Sequence, residues 1–176
     1  TIRHETSTWC RDKENKMEIT NTGVDSEELL CSYTGATLLP RGDALGDAVL
    51  KGDIFIEVKK TTLNQTRPNK YNVMVAHDNV NNNWYVISPD EIIRMTKGRR
   101  GQHTPDPMTC IGLGKITAKK FEKFMVADVS KLEDEIVRAY CKGQNNSSFK
   151  AFAAHHKEEN EKRLIEVQAG LEMLPQ

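Results

Sequence analysis

The feature that most constrains this chain is one segment of alternating character, Ile54-Phe55-Ile56-Glu57-Val58-Lys59. Alternate side chains of an extended strand point to opposite faces, so the three aliphatic residues share one face. Phe55, Glu57 and Lys59 share the other face. The pattern predicts a strand fit for a buried sheet that nevertheless presents an acid and a lysine side by side.

Four further strands and five helices are predicted around this segment from periodicity and turn residues. The strands cover residues 36–39, 47–51, 53–60, 71–77 and 84–87, the last two as an antiparallel pair. The helices cover residues 25–35, 88–98, 117–127, 130–140 and 148–173.

Capping residues set the predicted helix ends. Asp25 with Glu28 forms a capping-box pattern, and Gly35 is expected to end that helix in a left-handed conformation. Ser88, Pro89 and Glu91 predict another helix start, and Gly98 its end. Ser130 with Glu133 predicts the start of the fourth helix.

A chain of 176 residues, 38% hydrophobic and 28% charged, suffices for one core. We therefore predict a mixed α/β sandwich with a central sheet of about five strands flanked by helices. Residues 1–127 are predicted to form the core with an N-terminal arm, and residues 128–176 a helical C-terminal extension for packing or dimerisation. The amphipathic final helix favours that role.

No apolar run approaches the length of a membrane span, and the first residues lack the pattern of a secretory signal. We expect a cytoplasmic protein without a membrane partner. The four cysteines are far apart and form no CxxC pair, so the sequence signals neither a zinc knuckle nor a disulfide framework. Net charge is zero and gives no global indication of nucleic-acid binding.

Local chemistry is more informative than net charge. Hydrolysis of a phosphodiester requires a positioned water, a cation that neutralises developing charge, and a group that orients that water. Mg²⁺ prefers oxygen ligands and keeps several waters, so two carboxylates from adjacent strands are a sufficient protein contribution. Asp47, Glu57 and Lys59 supply this set if their strands are neighbours.

At these residues the chain resembles the PD-(D/E)XK phosphodiesterase superfamily, over roughly residues 25–91. Its signature is an acid at the end of one strand and a (D/E)-x-K tripeptide on the next; here it is Asp47, nine residues, then Glu57-Val58-Lys59. Gly46 stands where many members have proline. The resemblance implies that Asp47 and Glu57 are metal ligands, with the Val58 carbonyl as an extra ligand, and that Lys59 is catalytic. It also implies a carboxylate from the preceding helix, Glu28 or Glu27.

Simpler interpretations remain open for each residue. Glu57 and Lys59 fit an ordinary exposed cross-strand pair, Asp47 a turn residue, and Glu28 a helix-capping glutamate. Asp43 and Asp53 lie near enough in sequence to be alternative acids.

Two polar segments are candidates for nucleic-acid contact, because arginine, lysine, glutamine and histidine contact phosphates and base edges. The first follows the active-site strand and contains Lys60, Gln65, Arg67 and Lys70. The second contains Arg99, Arg100, Gln102 and His103.

Taken together, these residues predict a Mg²⁺-dependent DNA endonuclease, similar to type II restriction endonucleases, that accepts Mn²⁺ as a substitute. The expected partners are duplex or branched DNA and a second copy of the chain, because two sites address two strands. A Holliday-junction resolvase and a non-catalytic DNA-binding module on the same scaffold are the alternatives.

Overall fold

The computed structural model describes residues 23–143 and 147–174. The N-terminal arm predicted before residue 23 lies outside the described residues. Strands β1 (Thr37–Leu38), β2 (Ala48–Leu50), β3 (Ile54–Lys60), β4 (Val73–Asp78) and β5 (Asn83–Ile87) form one sheet in that order. The β3–β4 pair is parallel and the other pairs are antiparallel. The predicted five-stranded mixed α/β sheet is thus confirmed.

Helices cover both faces of this sheet. The helices are α1 (Gly23–Tyr33), α2 (Pro89–Thr96), α3 (Leu132–Lys142) and α4 (Ser147–Glu172), with short 3₁₀ helices at Lys119–Phe124 and Val129–Lys131. None of the helices among the described residues combines the length and the apolar character that crossing a bilayer requires.

The hydrophobic core has two parts, one on each face of the sheet. On one face α1 and α3 bury Leu30, Leu132 and Ile136 against aliphatic residues of β2, β3 and β4. On the other face Ile92 of α2 and Phe121 pack against Met74 and neighbouring residues. Both faces of β4, which lies between β3 and β5, are covered, and all six of its residues are buried.

The alternation predicted for β3 is confirmed. Ile54, Ile56 and Val58 are buried, whereas the four other residues of the strand are partly exposed. The parallel register places Glu57 beside Met74 and Lys59 beside Ala76. The acid and the lysine therefore share the face that carries the second part of the core.

Two predicted features of α1 are wrong. The helix is already formed at Gly23, so Asp25 lies inside it and not at its first residue. Gly35 is not left-handed; its N–H donates to Glu133 Oε1 at 2.8 Å, and a Cβ there would lie 3.1 Å from that oxygen. The helix end is instead fixed by this long-range contact and by Thr34, whose hydroxyl donates to the Leu30 carbonyl at 2.8 Å.

Both predicted ends of α2 are confirmed in position: Ser88 and Pro89 stand at its start, and Gly98 follows its end with φ +73°. The Ser88 side chain, however, makes no capping hydrogen bond. Ser130 does not cap α3: it lies in the 3₁₀ helix Val129–Lys131, which Asp128 caps by accepting the Ser130 N–H at 3.0 Å, and Lys131 precedes α3 without a capping hydrogen bond from its side chain.

The helix predicted over residues 117–127 is wrong in type. Only Lys119–Phe124 is helical, as a 3₁₀ helix. The residues after this 3₁₀ helix are extended, because the Val126 N–H donates to the Trp84 carbonyl at 2.7 Å and Met125 forms a β-bridge with Tyr85.

The loop after β3 is held by a second, short antiparallel ladder. Thr62 bridges to Lys115, and Thr66 bridges to Ile111 through hydrogen bonds of 2.8 and 2.7 Å. Between them, Leu63 exchanges hydrogen bonds with the backbone of residues 113–114. Residues 61–66 therefore leave β3 on a fixed path.

Candidate active site

Asp47 is bound to β3 on both sides of Glu57. Its N–H donates to the Ile56 carbonyl at 2.9 Å, and its Oδ2 accepts the Val58 N–H at 2.8 Å. Val58 lies beyond the last residue of β3 that pairs with β2, so this N–H faces the place where β2 has ended. The carboxylate thus takes the position of a missing strand partner and is oriented by it.

Gly46 makes this arrangement possible. Its φ is +129°, and a Cβ at this residue would lie 2.8 Å from the Ile56 carbonyl oxygen, closer than real Cβ contacts. Any other residue would push the Asp47 backbone away from β3. Gly46 is consequently part of the site, and is more than a tolerated replacement for proline.

Glu27, Asp47 and Glu57 line one open cleft with a volume of about 360 Å³. Asp47 and Glu57, the two acids predicted to act together, therefore lie at the same cleft. Burial raises the pKa of Glu57, and the nearby Asp47 carboxylate raises it further. Burial likewise raises the pKa of Asp47, opposed by the hydrogen bond from Val58 and by Lys59.

Glu27, and not Glu28, is the α1 carboxylate at the cleft. Burial and the Asp47 charge raise its pKa to about 7. The orientation of α1 is fixed by Leu30 and by Ser26, whose Oγ lies 2.9 Å from His77 Nδ1 in the interior. Ser26 and Leu30 face the sheet, which brings Glu27 to the cleft and leaves Glu28 exposed.

Lys59 is held beside Glu57. Its Nζ lies 3.4 Å from Glu57 Oε1, with the two side chains 17% and 23% exposed, so solvent screens the pair only partly. The same Nζ donates to the Gln65 carbonyl at 3.5 Å. The ammonium group is thereby directed along the strand by a carboxylate and by the loop that follows.

The set of oxygen donors suits a hard divalent cation, although no group of three or more His, Cys, Asp or Glu side chains within residues 23–143 and 147–174 forms a ready-made metal site. Asp47 keeps Oδ1 outside its hydrogen bond to Val58. The Asp47 carboxylate raises the pKa of Glu57, which shows that the two negative charges repel each other. A bound cation would neutralise this charge.

The predicted nucleic-acid residues separate into three groups. Arg67 and Lys70 line the cleft. Gln65 and Gln102 contact each other, since the Gln65 N–H donates to Gln102 Oε1 at 2.7 Å. The remaining four predicted residues do not line the cleft. Lys60 is the last residue of β3, and Arg99 Nη1 donates to the Gly112 carbonyl at 3.3 Å. Arg100 and His103 are exposed.

One cleft residue, Arg41, was not predicted from the sequence; it lies in the loop between β1 and β2. Asp43 from the same loop also lines the cleft, but its Oδ1 accepts the Leu45 N–H at 2.8 Å and so stabilises the turn. Asp53 precedes β3 and is not among the cleft residues.

Comparison of the chain with protein-family models, with curated proteins and with solved structures yields no match.

We predict that Glu27→Gln stabilises the protein at pH 8 in buffer with a chelator. The folded-state pKa of Glu27, about 7, exceeds its ordinary 4.5. Folding therefore binds a proton, and this contribution is full below pH 4.5 and lost as the pH rises through 7. Because the side chain is partly exposed, the gain at pH 8 is about 1 kcal/mol, or roughly 2–4 °C in Tm.

Thermal unfolding at pH 5 and pH 8 measures this effect, with the exposed Glu28→Gln on the same helix as the matched control. The gain for Glu27→Gln should shrink at pH 5, and Glu28→Gln should change Tm less. Equal shifts for both variants at both pH values would contradict a repulsive carboxylate cluster.

Proposed function

We propose that this chain is a Mg²⁺-dependent endonuclease of the PD-(D/E)XK type, most like type II restriction endonucleases, that hydrolyses DNA and leaves 5′-phosphate ends. One observation carries the proposal: Asp47 is hydrogen-bonded to β3 on both sides of Glu57, and the two acids line one cleft. A turn residue or an exposed surface pair would not require this arrangement.

Asp47, Glu57 and the Val58 carbonyl would hold the Mg²⁺. When bound, Mg²⁺ neutralises charge on the phosphate and lowers the pKa of a coordinated water. The water oxygen forms a bond to phosphorus as the bond to the 3′-oxygen breaks, which leaves a 5′-phosphate. Lys59 lies beside Glu57 and would donate to the attacking water or to a non-bridging oxygen as negative charge develops.

Glu27 would complete this site. It faces the cleft from α1, together with Asp47 and Glu57, and is partly buried there. A carboxylate of this kind is suited to accept the proton of the attacking water, directly or through a second water.

We predict that the protein nicks or linearises plasmid DNA in Mg²⁺ or Mn²⁺ and not in a chelator. Lys59→Ala should reduce the single-turnover rate by about 10²–10³-fold, the usual cost of removing one group that stabilises developing charge. Lys51→Ala is the matched control, because Lys51 is an exposed lysine between β2 and β3. Circular dichroism of each variant checks folding.

Full cleavage by folded Lys59→Ala would show that the site is wrong. Absence of divalent-dependent cleavage on linear, four-way-junction and RNA substrates would contradict the nuclease and favour a binding module. Faster cleavage of the junction than of the linear duplex would identify a resolvase.

We also propose that α4 pairs with α4 of a second copy. Leu164, Val167 and Leu171 follow helical spacing, and they are 69%, 60% and 57% exposed. Apolar side chains in such a row are normally covered. Pairing of two copies would supply two active sites for two strands.

Sedimentation velocity tests this pairing. Wild type should sediment as a dimer at micromolar concentration, and the variant with both Leu164→Lys and Leu171→Lys as a monomer, because paired helices would then bury like charges. Glu166→Lys, on the opposite side of the helix, should remain dimeric. A wild-type monomer at every concentration would contradict the proposal.

A further inference from the structure

Three cationic side chains line the same cleft as the carboxylates. Arg41 comes from the loop between β1 and β2, and Arg67 and Lys70 come from the loop after β3. The cleft is therefore bordered by cations from two separate loops. Its volume of about 360 Å³ lies near the lower end of the range for ligand sites and fits part of one nucleic-acid strand.

Arg41 and Arg67 differ from Arg94 and Arg138 in their contacts. Arg94 and Arg138 each bind a glutamate of the same helix at 3.0 Å. Neither Arg41 nor Arg67 makes a hydrogen bond or an ion pair with a side chain or carbonyl of the part of the chain that the structure describes. Each acts on a cleft carboxylate only electrostatically, Arg41 on Glu27 and Arg67 on Glu57. Their guanidinium donors thus remain available to an anion.

The second loop presents its two cations from a fixed base. Thr66, directly before Arg67, exchanges two hydrogen bonds with Ile111 and is fully buried. A turn follows, in which the Lys70 N–H donates to the Arg67 carbonyl at 3.0 Å. Lys70 Nζ lies 5.6 Å from the centre of the Phe152 ring of α4, a contact that restricts the lysine side chain. Ordering these cations on binding consequently costs less than it would on a free loop.

We infer that Arg41, Arg67 and Lys70 form a phosphate clamp that binds the backbone phosphate adjacent to the one attacked at Asp47 and Glu57. The inference rests on the proposed function and extends it, because it names a second phosphate and adds Arg41 to the binding residues. Arginine donates two parallel hydrogen bonds to phosphate oxygens, so two guanidinium groups from two separate loops would fix both the position and the direction of a strand.

The clamp is tested by fluorescence anisotropy with a labelled DNA duplex in Ca²⁺, over 50 to 200 mM salt. Arg41→Gln and Arg67→Gln should each weaken binding about tenfold and reduce the slope of log K against log salt by about 0.9, the value for one lost phosphate contact. Arg138→Gln, an exposed arginine on α3, is the matched control and should bind like wild type.

A second variant separates the clamp from an internal role of Arg41. If Arg41 only neutralises Glu27, the variant with both Arg41→Gln and Glu27→Gln should regain wild-type affinity. The clamp predicts that the double variant remains weak, with the reduced salt slope. Recovery of affinity would overturn the inference.

Cleavage assays keep this inference distinct from the nuclease proposal. If wild type cleaves DNA and Arg41→Gln leaves KM, kcat and salt slope unchanged, the clamp is wrong and the nuclease stands. If wild type shows the arginine-dependent binding but cleaves no substrate, the nuclease is wrong and the binding role of the three cations stands.

Discussion

Two carboxylates share a partly buried cleft in this protein, and that is an unfavourable arrangement which the fold must enforce. Burial disfavours the charged forms of both and raises their pKa values, and the Asp47 carboxylate raises the pKa of Glu57 further. The enforcing contacts are two hydrogen bonds between Asp47 and β3, on either side of Glu57. Gly46 permits them because no Cβ separates it from the Ile56 carbonyl. A cost of this kind is typical of sites that bind a cation.

Three sets of contacts outside the cleft hold its residues in place. The buried contact between Ser26 and His77 sets the rotation of α1 and so brings Glu27 to the site. The short ladder between residues 61–66 and 111–116 fixes the loop that carries Arg67 and that accepts a hydrogen bond from Lys59 at Gln65. Gln102 then joins the basic segment around Arg99 to this same loop. Groups far apart in sequence are thereby linked around one carboxylate pair.

Local pattern was sufficient to predict the sheet and the closeness of Asp47 to Glu57. Strict alternation identified β3, and its faces follow from strand geometry alone.

The ladder of residues 61–66 was missed because its partner lies about 50 residues away and neither segment has a strong strand pattern. The choice between Glu27 and Glu28 depends on the rotation of α1, which a contact 51 residues distant determines. Arg41 was missed because only the folded loop brings it to the cleft. The prediction that Gly35 is left-handed was wrong because a tertiary contact with Glu133, 98 residues away, replaced the local one.

Anomalous X-ray scattering from crystals soaked in Mn²⁺ tests the central claim most directly. We expect one Mn²⁺ peak that is bound by carboxylate oxygens of both Asp47 and Glu57. The distance from the ion to these oxygens should be roughly the 2.0–2.6 Å typical of metal–oxygen bonds. The peak should be lost in crystals of Asp47→Asn. Mn²⁺ bound only at other acids, with Asp47 and Glu57 both without the ion at saturating concentration, would contradict it.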